Sequence, residues 1–216
     1  MILKKLKCSL ALPEPVKITQ APFRTLIMTI ISQNTNDDNT ERAFDNLSKR
    51  FQITPQVLAT AEKSQIEDCL YTGGLYKNKT KTIQSASKVI LEKYHGNISS
   101  ILSLPLNDAR EKLMEIDGVG PKTSDVVLLF SANKPTIPID THVARVSKRL
   151  FLTPEKSNYE EIRSNLQFLF EEKDYPSVHL LLIALGRKYC RSRCPLCFSC
   201  PVSTYCPSSK QGIQHG

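Results

Sequence analysis

The chain has 216 residues, 40% hydrophobic and 23% charged, with 29 Lys+Arg against 21 Asp+Glu and a formal net charge of +8. That is globular composition: it excludes disordered and collagen-like chains, and no apolar run approaches the ~20 residues of a transmembrane helix. The length predicts one large domain or two small ones, and only 8 glycines lean the chain toward helix.

The first 17 residues begin like a secretory leader. Their apolar part, Leu10 to Leu12, is too short for one, and Pro13 and Pro15 follow at once. The protein is therefore expected inside the cell, in the cytoplasm or nucleoid if prokaryotic, with no membrane association. Phe23 to Ile31 is apolar on nearly every side, as a buried helix would be. The polar stretch Ser32-Gln33-Asn34-Thr35-Asn36 stops it. Residues 38 to 50 are an amphipathic helix with Asp37 or Asp38 as N-cap. Thr54-Pro55 opens a short helix to about Thr60. Ser64 caps the next, which Gly73-Gly74 ends. Lys77 to His95 is long and amphipathic, with Ile83, Val89, Ile90 and Tyr94 inside and Gly96 as its stop. Asn107 caps a helix to about Met114.

Then comes Ile116-Asp117-Gly118-Val119-Gly120-Pro121-Lys122, followed by an apolar helix from Thr123 to Phe130. Lys134 to Pro138 is extended because of its prolines and marks the expected break in organisation. Thr141 to Leu150, Asn158 to Glu171 and Pro176 to Lys188 are further helices. A cysteine segment follows, and Gln211 to Gly216 is an expected frayed tail. No strand-like alternation of useful length occurs, so the fold class is all-α.

Two motifs carry chemistry. Gly118-x-Gly120 joins two helices, with Pro121 at the second helix start. Glycines admit positive φ and let a ligand approach the backbone. A helix N-terminus adds unpaired N–H groups and a positive dipole end, which together bind phosphate without reading sequence. The alternative is a tight turn with no ligand. Lys122 sits in that first helical turn, where the dipole disfavours an ammonium; a neutral amine there is a nucleophile toward a sugar C1′ or a carbonyl. The alternative is a lysine that touches phosphate. Eighteen residues on, Asp140 stands at a helix start. It is either simply the cap or a carboxylate that stabilises positive charge on a deoxyribose and accepts a proton from an attacking amine.

Five of the seven cysteines fall between Cys190 and Cys206. Clustered thiols in an intracellular protein point to metal rather than disulfides. Cys190, Cys197, Cys200 and Cys206 have the spacing C-x6-C-x2-C-x5-C, with Cys194 inside the first gap. Zinc and an iron–sulfur cluster both accept four cysteines; tight, unequal spacing in one loop suits a cubane better. Chemistry alone leaves Cys194 open as a first ligand. His95, His142 and His179 lack paired partners in sequence, and core or capping roles are expected for them.

Gly118-Val119-Gly120-Pro121-Lys122-Thr123, then Ile139-Asp140-Thr141-His142-Val143-Ala144-Arg145, then the four-cysteine spacing, resemble endonuclease III, the iron–sulfur branch of the helix-hairpin-helix DNA glycosylases. The likeness covers roughly residues 20 to 207. It implies a two-lobed all-α fold: a helical bundle over 22–132 that carries the hairpin, and a second lobe from 1–21 plus 133–216 that holds a [4Fe-4S] cluster on Cys190, Cys197, Cys200 and Cys206, leaving Cys194 spare. It implies double-stranded DNA with a damaged base or abasic site as partner, bound by a monomer in the cleft between the lobes. Lys122 matches the nucleophilic lysine of a combined glycosylase and AP lyase, and Asp140 the family carboxylate. Gln33 matches the residue that fills the gap left by a flipped base, and Leu75 the wedge in the opposite strand. Without the resemblance they read as a polar loop residue and a satellite-core leucine. His142 is expected to shape the active-site turn.

The resemblance has departures. Ile116-Asp117 stands where Leu-Pro is frequent, and Asn36 where a carboxylate is usual. The second puts the substrate base in question. Oxidised pyrimidines are the family default; a monofunctional enzyme acting on uracil or thymine opposite guanine is the alternative, and a non-catalytic DNA-binding module the third reading. The charge has a place too. From Tyr175 onward there are five basic residues, among them Arg187, Arg191 and Arg193, and no acidic one. Arg145, Lys148 and Arg149 add a basic face at i, i+3, i+4. This predicts strongly salt-dependent DNA binding.

Overall fold

The structure, a computed structural model, describes residues 1–10 and 21–210. The prolines at 13 and 15 and the tail from Gln211 lie outside the described residues. Helices and turns make up the described chain, and it contains no strand. It divides into two compact units, one within 21–134 and the other formed by 1–10 with 135–210.

The first unit is built around α2 (Pro22–Ile31). Leu26, Ile27, Ile30 and Ile31 are fully buried, so the helix is enclosed on several sides, as its composition requires. Each such side chain contributes about 1.5–3 kcal/mol by leaving water. Beside it, α3 (Asp37–Arg50) buries Thr40, Ala43, Phe44 and Leu47, the i, i+3, i+4, i+7 stripe of an amphipathic helix. α4 (Pro55–Thr60) starts as expected, with the Thr54 hydroxyl accepting from the Val57 N–H. α5 (Lys63–Leu70) and α6 (Tyr76–Tyr94) follow, then a single turn α7 (Ser99–Leu102), α8 (Leu106–Met114) and α9 (Pro121–Ala132). α2 packs on α9, α4 on α6, and α8 on α9.

Three cap expectations need correction. Asn36, not Asp37 or Asp38, caps α3: its Oδ1 accepts from the Asn39 N–H at 2.8 Å. The two aspartates are the first two residues of the helix, where they favour its dipole instead. Ser64 lies inside α5, and its hydroxyl donates to the carboxylate of Glu62, which holds the cap position. Asn107 lies inside α8, which Pro105 precedes.

α8 and α9 are tied by a buried ion pair. Asp125 is 0% exposed, and Arg110 meets it with two donors, Nε to Oδ1 at 2.9 Å and Nη2 to Oδ2 at 3.3 Å. Removing one partner of such a pair strands the other charge in the core. Asp125→Ala is therefore expected to destabilise the fold by about 3–5 kcal/mol. Urea unfolding measures this, and a loss under about 1 kcal/mol would contradict the argument.

The second unit contains α10 (Thr141–Arg149), α11 (Tyr159–Leu169), α12 (Tyr175–Lys188) and the N-terminal helix α1 (Ile2–Ser9). α11 opens with a capping box: Asn158 accepts from the Glu161 N–H, and Glu161 accepts from the Asn158 N–H. α1 was not expected from the sequence. Leu6 and Leu10, four apart, are buried, the helix packs against α12, and Lys7 pairs with Asp174 at 2.6 Å. After α12 come 3-10 turns at Cys197–Ser199 and Ser203–Tyr205 and a last turn, α13 (Pro207–Lys210). No helix among the described residues is long and apolar enough to cross a membrane.

Candidate DNA-repair site

The glycine hairpin between α8 and α9 works differently at its two glycines. Gly118 has φ +80° and needs glycine twice over, because a Cβ there would sit 2.5 Å from the Thr82 Oγ1 on α6. Gly120 does not use the freedom of positive φ. It is ordinary extended backbone (φ −93°, ψ −177°), and a Cβ on it would meet nothing within 4 Å. Its bare face is open space. Val119 is buried, and its N–H closes the turn on the Ile116 carbonyl at 2.9 Å. Pro121 is exposed, and no side chain caps α9. The result is a helix N-terminus without a side-chain cap, suited to an anion. Lys122 is the second residue of that helix and is half-buried.

Gln33 belongs to this hairpin, though 85 residues separate it from Gly118. Its Nε2 donates to the Gly118 carbonyl at 3.1 Å and to the Thr123 hydroxyl at 3.2 Å. Thr123 is buried, so its hydroxyl serves as an anchor for Gln33 in this structure. Leu75, at the start of α6, is 55% exposed and left-handed, with φ +48°. An exposed leucine in a conformation that L-residues avoid carries two costs at once, and such strain concentrates at functional positions.

In the other unit, Asp140 is the N-cap of α10. Its Oδ1 accepts from the Val143 N–H at 2.7 Å, a bond that uses one of the two carboxylate oxygens. His142 presents Nδ1 to Arg145 Nη2 at 3.0 Å; a guanidinium can only donate, so Nδ1 is the acceptor and the imidazole proton lies on Nε2. His179 is a core residue with Nδ1 2.9 Å from the Pro138 carbonyl, and His95 ends α6 with φ +52°, the core and capping roles expected of them.

Arg145 and Arg149 do not form the open basic face that their spacing suggests. Arg145 donates to the carbonyls of Cys190 (2.9 Å) and Gly186 (3.1 Å). Arg149 donates to the carbonyls of Arg191 (2.6 Å) and Ser192 (3.1 Å). Both guanidiniums hold the cysteine loop, and Arg145 also satisfies the Gly186 carbonyl, one that the end of α12 leaves bare. Gly186 permits this closeness: a Cβ there would lie 2.9 Å from the His142 Cβ. Sequence reasoning missed the role of Arg149, because no local pattern marks it. Arg187, Arg191 and Arg193 are exposed.

Cys190, Cys197, Cys200 and Cys206 line one cavity, whose other walls include Val146, Leu150, Leu185 and Val202. Cys194 does not line it. That residue is exposed, with φ +48°, on the outside of the loop. Burial pushes the Cys200 and Cys206 thiols above the usual thiol range. Among the described residues, no three His, Cys, Asp or Glu side chains stand close enough to share a single metal ion.

Comparisons with known proteins agree on what this arrangement belongs to. Residues 27–172 match the HhH-GPD superfamily base excision DNA repair protein family. Endonuclease III of Thermotoga maritima is 35% identical over 185 residues, 86% of this chain and 82% of that protein. A non-covalent endonuclease III–DNA complex has the same fold, with a TM-score of 0.84 at 27% identity, over 99% of this chain and 96% of the other. A trapped endonuclease III–DNA covalent intermediate matches with a TM-score of 0.83 at 28% identity, over 97% and 94% of the two chains. The chain belongs to the endonuclease III family of the HhH-GPD superfamily, the base excision repair DNA glycosylases with AP lyase activity.

Proposed function

We propose that this enzyme removes oxidised pyrimidines from duplex DNA, as an intracellular monomer, through Lys122. The observation that carries the reading is an amine in the first turn of an uncapped helix, behind a glycine whose face is open. DNA phosphate docks at the hairpin N–H groups and the damaged nucleotide leaves the stack. The Lys122 amine attacks C1′, and the C1′–base bond breaks with its electron pair going to the base. Loss of the amine proton and ring opening give a Schiff base between Nζ and C1′. A proton then leaves C2′, and β-elimination expels the 3′ phosphate. Asp140 supplies negative charge for the cation that develops on the sugar. Gln33, already oriented by its two hydrogen bonds, fills the space of the flipped base, and Leu75 props the opposite strand.

Asn36 bears on the choice of base. In this structure it is a helix cap, a task at which asparagine and aspartate are equals, so its departure from the family carboxylate gives no reason to leave the oxidised pyrimidines. Duplexes carrying thymine glycol, dihydrouracil, uracil opposite guanine, thymine opposite guanine, or an abasic site test this directly. Thymine glycol and dihydrouracil are expected to be excised and cut. Excision confined to the two mismatches, without strand cleavage, would replace this reading with the monofunctional one.

The four cavity thiols fit a [4Fe-4S] cluster in number, softness and surroundings. When bound, the cluster keeps the buried thiols ionised and pins the loop that carries Arg191 and Arg193. Cys194→Ser is expected to retain a full complement of iron and sulfide and a brown visible spectrum. Cys200→Ser is expected to lose most of both. A colourless, zinc-loaded wild type after anaerobic purification would refute the assignment.

A further inference from the structure

Lys79 lies in the first turns of α6 and is 3% exposed. Its Nζ donates to the Gly73 carbonyl at 2.7 Å. Burial pulls its pKa below the ordinary lysine range. A buried ammonium is costly unless it has a task, and an aliphatic residue would fill this place more cheaply. The acceptor indicates the task. Gly73 ends the 3-10 turn Tyr71–Gly73 and is itself buried against Ala43 and Ile31. After it come Gly74 at φ +65° and Leu75 at φ +48°. The other ties here are local: the Gly74 N–H reaches the Tyr71 carbonyl only at 3.5 Å, the Leu75 carbonyl accepts from the Lys79 N–H at 3.0 Å as the first bond of α6, and the Tyr71 and Tyr76 rings meet at 5.4 Å between centroids.

We propose that Lys79 is a positioning residue, whose ammonium grips the Gly73 carbonyl and so holds Leu75 in its left-handed, outward-pointing conformation. This rests on the wedge role given to Leu75 above. Released from that grip, Leu75 could relax to right-handed backbone and extend α6, moving its side chain off the wedge position. Holding it beforehand spares the complex the cost of ordering it on binding. The sequence does not disclose this, because Lys79 stands among Lys77 and Lys81 and looks like one more solvated cation.

The test uses duplexes with a tetrahydrofuran abasic-site analogue opposite 2-aminopurine, whose fluorescence rises when the wedge unstacks it, and matched undamaged duplexes. The proteins are wild type, Lys79→Met, Leu75→Ala and the double variant, each first checked for a cooperative thermal melt. Lys79→Met is expected to reduce the fluorescence rise and weaken analogue binding about tenfold, the effect of one charge-assisted hydrogen bond, with undamaged-duplex binding unchanged. In the Leu75→Ala background the same change is expected to add nothing. Additive losses in the double variant, or equal losses on both duplexes, would overturn the proposal. Should Leu75→Ala leave fluorescence and affinity at wild-type values, the wedge reading itself fails, whatever Lys79 does. If Lys79→Met shows no cooperative melt, Lys79→Gln, which shortens and neutralises the donor, enters the same comparison with the same expected and overturning results.

Discussion

Lys122→Ala is expected to leave no borohydride-trapped protein–DNA adduct on thymine glycol or abasic duplexes. It is also expected to lower base excision by about three orders of magnitude, or about 4 kcal/mol of transition-state stabilisation. Lys79, whose pKa burial lowers, offers no substitute amine, because its Nζ is occupied inside the first unit by the Gly73 carbonyl. Gly118, the buried Val119 and the Gln33 hydrogen bonds hold the shape of the hairpin. Binding to the analogue duplex should therefore fall only several-fold, as for loss of one phosphate-facing cation. The pattern of retained binding with lost adduct separates a nucleophile from a phosphate contact. A full-strength adduct in Lys122→Ala would place the nucleophile elsewhere; lost binding in step with lost adduct would return Lys122 to a phosphate role.

Much of the helical framework is legible because it is local. The apolar enclosure of α2, the stripe on α3 and the caps at Thr54 and Asn158 are written in neighbouring residues, and the fold obeys them. The cap errors at Asn36 and Glu62 are of one kind: several polar residues lie within a turn of each start, and the packing of the helix decides which takes the cap. α1 was obscured because its two buried leucines need α12, far along the chain, to give them meaning. The candidate site divides the same way. Lys122, Asp140 and the cysteines announce themselves by residue type at a helix start or by spacing. The hydrogen bonds of Gln33 to the hairpin, the inward turn of Arg145 and Arg149, and the exclusion of Cys194 from the thiol cavity join distant segments. Spacing at i, i+3, i+4 placed the arginines on one face correctly, but could not say that the face is covered.

Asp140→Asn should be the second large effect, and the structure makes it an unusually clean substitution. The cap bond to the Val143 N–H uses Oδ1, which asparagine retains, and asparagine caps helices as well as aspartate does. Thermal and urea unfolding should therefore match wild type within about 0.5 kcal/mol, whereas Asp140→Ala, which also loses the cap, should cost about 1 kcal/mol more. What the asparagine removes is the charge. If that charge stabilises the sugar cation, base excision should fall by about 10³-fold or more with lesion binding kept. Two contributions of the carboxylate can then be told apart. Charge stabilisation matters while the base departs, but not on a preformed abasic site, where no glycosidic bond remains. Proton acceptance from the Lys122 amine matters on both substrates. A variant that still cleaves abasic duplexes near the wild-type rate while failing on thymine glycol assigns Asp140 to the departing base. Equal losses on the two assign it to the amine. Wild-type turnover on both would leave Asp140 as nothing more than the cap of α10.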